Sequence, residues 1–203
     1  MRIFLDDHAV SSSATTLSGA LACVAEHVGD RLLIEAQADG RVLSADELTN
    51  PSVSDPYAQE MRFRSADPIA LARVTLHDAG VAVGSLEGQH ARTADLIETG
   101  ARKDANEALT HIFSIWSQTL TALDMISRTP GIPWPPKGGV VDQPQIDSAT
   151  TTLKGHLDEI KTTLNAGDSA GLCDILRYDM DGQATHWKSL CNNLADAMTD
   201  NSH

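Results

Sequence analysis

The chain has 203 residues, 41% hydrophobic, 4% aromatic and 21% charged, with a formal net charge of −13. That length supports one large domain or two small ones with a core that needs no disulfide or metal, and the hydrophobic share is too high for a disordered chain. Phosphate-rich partners are repelled by so acidic a surface, so nucleic acid and anionic membrane are both expected to be absent from its partners.

The opening Met1-Arg-Ile-Phe-Leu-Asp-Asp7 alternates apolar and polar residues and has no basic n-region ahead of an apolar run. A secretory signal is therefore not expected, and no stretch reads as the roughly 18 apolar residues of a membrane span. Cys23, Cys173 and Cys191 are an odd set without a Cys-x-x-Cys spacing. On one helix, Cys173 and Cys191 would stand about 27 Å apart, far outside disulfide reach. These features predict a cytoplasmic protein with free thiols.

Met1, Ile3 and Leu5 mark a first strand, closed by a turn at Asp7-His8. A weak second strand or loop follows through Ser11-Ser12-Ser13. Thr16 then caps a helix whose apolar stripe is Leu17, Ala20, Leu21, Val24 and Val28, ended by Gly29. Arg31 to Gln37 reads as a strand, Asp39-Gly40 as a hairpin turn and Arg41 to Leu43 as the return. After a polar stretch from Thr49 to Pro56, Met61 and Phe63 alternate with Arg62 and Arg64 in a last strand.

This ββαββ order over residues 1–66 resembles the β-grasp fold. Met1 to Asp7 is similar to the first strand of ubiquitin-like domains, and Ala38-Asp39-Gly40 resembles the Val-Asn-Gly type of turn in bacterial sulfur carriers. The resemblance implies a small β-grasp-like sheet with one helix. Carriers of that family are adenylated on a terminal Gly-Gly, whereas Gly138-Gly139 is internal and the sequence ends Asp200-Asn-Ser-His203. Carrier chemistry is therefore expected only after cleavage.

From residue 67 the period becomes helical. Asp67-Pro68 starts a helix over about 68–99 with Ile69, Ala72, Leu76, Ala79, Val83, Leu86, Ala94 and Ile97 inward. Gly80, Gly84 and Gly88 recur on it at four-residue spacing, either to admit a close neighbour or to bend the helix. Asp104 is expected to cap a second helix, 104–128, with Leu109, Ile112, Trp116, Leu120 and Leu123 inward. Pro130 to Gly139, with four prolines, is a stiff connection. A third helix, 144–166, carries Ile146, Ala149, Leu153, Leu157, Ile160 and Leu164. Gly167-Asp168 stops it and caps a fourth, 168–198, on which Tyr178 and Trp187 are expected to pack against the third. The expected fold class is thus α+β: a β-grasp-like domain, 1–66, followed by an antiparallel four-helix bundle, 67–203.

Chemistry-bearing patterns are sparse. A carboxylate-bridged di-metal bundle needs a Glu-x-x-His on each of two helices, and only Glu87-Gly-Gln-His90 is present, since Glu107 and His111 are four apart. Asp179, Gln183 and His186 fall at i, i+4 and i+7, the spacing of a single-ion face, against a solvated polar side with an Asp174–Arg177 pair. Glu87, His90, Asp179 and His186 are therefore the metal candidates. There is no Gly-x-Ser-x-Gly, P-loop or Gly-x-Gly-x-x-Gly, and Cys23 is expected on a buried helix face, where a thiol is inert. Neither a catalytic residue nor a cofactor is expected.

Phe113 and Ile115 flank the core stripe of the second helix, and Trp134 stands in Pro133-Trp-Pro-Pro136. These three make the candidate partner surface, against burial of Phe113 and Ile115 between neighbouring helices and a structural role for Trp134 as a cover over the bundle end. The function read from the sequence is a non-catalytic protein-interaction module, an adaptor or chaperone binding a client through the bundle or assembling with itself. The alternative is a metal-dependent enzyme or sensor built on the bundle's polar residues.

Overall fold

A computed structural model describes residues 1–52 and 54–198, so the reading of the sequence end at residues 200–203 lies outside the described residues. The chain is mixed α+β and divides into two compact units, Met1–Leu71 and a second beginning at Ala72.

The first unit holds a five-stranded mixed sheet in the order β2-β1-β5-β3-β4. β1 (Arg2–Leu5) turns into β2 (His8–Val10) through Asp6 and Asp7, both at positive φ. Asp6 also accepts hydrogen bonds from the Ser65 backbone N–H and hydroxyl, which hold its carboxyl below the usual carboxylate range and tie the turn to β5. α1 (Leu17–Val28) starts at Thr16, whose hydroxyl accepts from Gly19 N–H, and Leu17, Ala20 and Val24 of its stripe are buried. β3 (Leu32–Ala38) pairs with β4 (Arg41–Val42) around Asp39-Gly40, both at positive φ as a tight hairpin requires. β5 (Glu60–Ala66) lies between β1 and β3, parallel to the first and antiparallel to the second, with a register shift at Leu33/Glu35. Met61 and Phe63 point inward with Ile3, Ala36 and the α1 stripe, which is the core of this unit.

One helix in this unit lies between the expected return strand and the polar stretch from Thr49, where the sequence reading assigned no element. α2 (Ala45–Thr49) begins with a full capping box: the Ser44 side chain accepts from Glu47 N–H, and the Glu47 carboxylate accepts from Ser44 N–H. Its sequence signal, Ser-x-x-Glu, was available.

The helices of the second part depart from four uninterrupted rods. The stretch expected at 68–99 is two helices, α3 (Pro68–Gly84) and α4 (Gln89–Glu98), with Gly88 left-handed between them. An 18-residue window within Pro68–Glu98 is apolar enough to cross a membrane by length and composition, which corrects the expectation that no stretch is. α3 itself, at 17 residues, spans about 26 Å. Gly80 and Gly84 bring α3 close to the last helix: a Cβ on Gly80 would lie 2.8 Å from Asn192 Oδ1 and 3.3 Å from Cys191 Cβ.

α5 (Arg102–Arg128) starts two residues before the expected position, so Asp104 sits in its first turn instead of capping it. α6 (Gln143–Ala166) is capped by a reciprocal pair, Asp142 and Gln145, and ends at left-handed Gly167. The last helical stretch is α7 (Ser169–Asp174), a π-helical segment Ile175–Met180, and α8 (Asp181–Ala197). The i→i+5 bonding of that segment inserts one residue into the helical frame.

Candidate functional site

The buried centre of the second unit is aromatic. Trp116 of α5 and Trp187 of α8 meet edge to face, with ring centroids 6.1 Å apart. His90 of α4 is fully buried beside Trp116, which donates its indole N–H to His90 Nε2 at 3.3 Å. Because that nitrogen accepts, the neutral imidazole carries its proton on Nδ1. Nδ1 lies 3.8 Å from Asp181 Oδ1, beyond hydrogen-bond range, and Asp181 Oδ1 accepts from Gly88 N–H at 2.9 Å. Burial lowers the His90 pKa to about 4, with Asp181 opposing the shift.

Glu87 does not join His90. It is exposed and accepts from the Thr185 hydroxyl at 3.0 Å, while His90 turns inward. The Glu-x-x-His spacing therefore places its two residues in different environments. Arg177 also corrects an expectation: it reaches across to α4 and pairs with Asp95 and Glu98, each at 2.6 Å, instead of with Asp174. The guanidinium donates to both oxygens of Glu98 in a bidentate fork and to Asp95 as well, a charge-assisted geometry of the strong kind.

Asp179 and His186, expected together on one face, fall in different segments and line different features, Asp179 in the π-helical segment and His186 in α8. Asp179 is grouped with His156 and Glu159 of α6, with one ligand atom of each within 4.8 Å of the others. His186 lines a groove of about 680 Å³ with Val140, Asp142, Thr152, Gln183 and Asn193. Gln183 Oε1 is shielded there and has no hydrogen-bond partner among the described residues. His156 and Glu159 were not singled out from the sequence; their i, i+3 spacing on one helix, with His156 half-buried and Glu159 exposed, was the available signal.

The expected partner residues divide. Between α5 and α6 two clefts share Leu120. One, about 460 Å³, is lined by Phe113, Ser117, Leu157, Lys161 and Leu164. The other, about 390 Å³, is lined by Leu123, Asp124, Trp134, Ile146 and Lys154. Phe113 and Trp134 thus stand towards opposite ends of one line of clefts. Ile115 is half-buried on α5 and lines neither. Leu157 and Leu164, expected inward, face this opening, and Leu164 is 44% exposed.

Tyr178 is 76% exposed and does not pack as expected, whereas Trp187 is buried. All three cysteines are free, and burial pushes the Cys191 thiol up to about 12. Cys23 is only half-buried, a correction to its expected place on a buried face, because its flank of α1 faces the Ser11 carbonyl instead of the core.

No family model matches the chain, and no curated protein or solved structure matches it.

Proposed function

We propose that this chain is a non-catalytic protein-binding module, with a β-grasp-like domain over residues 1–66 and an antiparallel four-helix bundle over 67–203 that takes a client helix in its α5/α6 cleft. The β-grasp reading is supported by a first strand and a last strand lying side by side and parallel, with one helix between two hairpins. The bundle reading is supported by the apolar residues that the helical segments bury, Trp116 of α5, Leu153 of α6, Leu176 of the π-helical segment and Trp187 of α8, with the two tryptophans in edge-to-face contact.

The observation that carries the function is the line of clefts between α5 and α6. From Phe113 to Ser127 it runs for about 21 Å along α5, the length of some 14 helical residues. Its apolar lining includes Phe113, Leu120, Leu157 and Leu164, and Asp124, Asp147, Asp158, Lys154 and Lys161 line it as well. Apolar side chains interspersed with charges of both signs suit an amphipathic helix, whose anchors at i, i+3, i+4 and i+7 would fill the clefts. The free cysteines support a reducing, cytoplasmic setting.

A photo-crosslinking residue at Ser117, compared with one at exposed His111 on the same helix, tests this in the protein's own host. One discrete adduct from position 117, lost when Phe113→Asp and Leu164→Asp are introduced, is the expected result. An adduct of twice the chain mass would name a second copy as the client. Equal labelling from both positions, or none from 117, would overturn the reading.

A further inference from the structure

We propose that His156, Glu159 and Asp179 form a mononuclear site for a divalent transition-metal cation such as Zn²⁺. The three come from two helical segments: His156 and Glu159 stand at i and i+3 on α6, and Asp179 comes from the π-helical segment Ile175–Met180. Their ligand atoms already lie within 4.8 Å of one another, against about 3.3 Å between two ligands of a tetrahedral zinc. Rotation about exposed carboxylate torsions covers that difference without moving the backbone.

Two further observations point the same way. His156 Nδ1 is shielded from solvent, lies 3.5 Å from Glu159 Oε2 outside hydrogen-bonding geometry, and has no other partner among the described residues. A shielded ring nitrogen of this kind calls for a proton donor, an acceptor or a metal. In addition, neither Glu159 nor Asp179 has a Lys or Arg within ion-pair distance among the described residues, unlike Asp95 and Glu98, which Arg177 neutralises. Two carboxylates and a neutral imidazole give a charge of −2, which one divalent ion balances.

The donor set selects the metal class. Ca²⁺ and Mg²⁺ are held by oxygen alone, whereas one imidazole with two carboxylates suits zinc and its first-row neighbours. Three protein ligands leave coordination positions for water. The site uses none of the α5/α6 cleft residues, so its failure would leave the client-binding reading intact, and the reverse.

Titration of the full chain with Zn²⁺ alone, followed by calorimetry, tests the site. One ion per chain is expected, with affinity lowered at least about tenfold in each of His156→Gln, Glu159→Gln and Asp179→Asn. Circular dichroism of the exposed-carboxylate variants, Glu159→Gln and Asp179→Asn, should match the parent, which separates ligand loss from misfolding. A Co²⁺-loaded sample should show no thiolate-to-metal charge-transfer band. Absence of saturable binding, undiminished binding in all three variants, or a thiolate band marking a cysteine as a ligand would each overturn the proposal.

Discussion

A fully buried histidine such as His90 is held neutral by its surroundings, and that makes it a contributor to pH-dependent stability. Its pKa is about 4 in the folded chain against an ordinary value near 6.5. Between those values the unfolded chain binds the extra proton, so stability is fully present above about pH 6.5 and is lost as pH falls towards 4. The difference amounts to about 3 kcal/mol. Denaturant melts at steps across this window should show the unfolding free energy of the second unit falling on acidification. His90→Gln, whose amide oxygen still accepts from the Trp116 indole, should flatten that slope. An unchanged slope in the variant would assign the effect to other groups. From the sequence, His90 was visible as half of a Glu-x-x-His pattern, but its burial was not. Spacing gives the angle of a residue around its helix, and only the break at Gly88 decides which way α4 turns that residue.

At the level of elements, the glycines of α3 separate two roles that composition cannot tell apart. A Cβ on Gly80 would meet Asn192 Oδ1 at 2.8 Å and the Cys191 Cβ, both on buried or half-buried parts of α8. One on Gly84 would meet the Lys188 stem at 2.9 Å, and that side chain is exposed and free to swing away. Gly80→Ala should therefore destabilise by about 1 kcal/mol, overpacking outweighing the helix propensity gained. Gly84→Ala should stay within about 0.5 kcal/mol of the parent. Thermal melts of the two variants check the contrast, and equal shifts would refute it. Strand positions and most inward helical positions were legible because one residue in two, or one in three to four, must be apolar. The π segment was less so, although Leu172, Leu176, Met180 and Ala184 recur at four, four and four, too long a run for a 3.6-residue period. Asp179 lies in that segment, and the sequence grouped it with His186 because an unbroken α-helix puts residues i and i+7 on one face.

For the molecule as a whole, the two units are built on separate sets of core residues. Phe63 closes the core of the sheet unit, while all three tryptophans, Trp116, Trp134 and Trp187, belong to the helical one. Phe63→Ala should cost the sheet unit about 3–5 kcal/mol. Tryptophan fluorescence should then report a helical transition at its parental midpoint while far-ultraviolet circular dichroism shows an earlier second step. A single shared transition that moves with the mutation would show the units to be energetically one. The α+β composition and the change of period near residue 67 were legible from the chain; the cleft between α5 and α6 was not. An a/d pattern marks Leu157 and Leu164 as inward, and nothing in that pattern records that the neighbouring helix leaves them partly uncovered.

The extra residue between Ile175 and Met180 also bears on ancestry. A helix that lost it would return to ordinary winding, and every side chain beyond would rotate by about 100° relative to those before. Any descendant of a common ancestor that lacks the residue must therefore have re-patterned its final helix or given up one of the two buried faces. An alignment of such sequences should open a one-position gap here. On which side of that gap a lineage falls should decide whether it keeps a carboxylate facing the helix that carries His156.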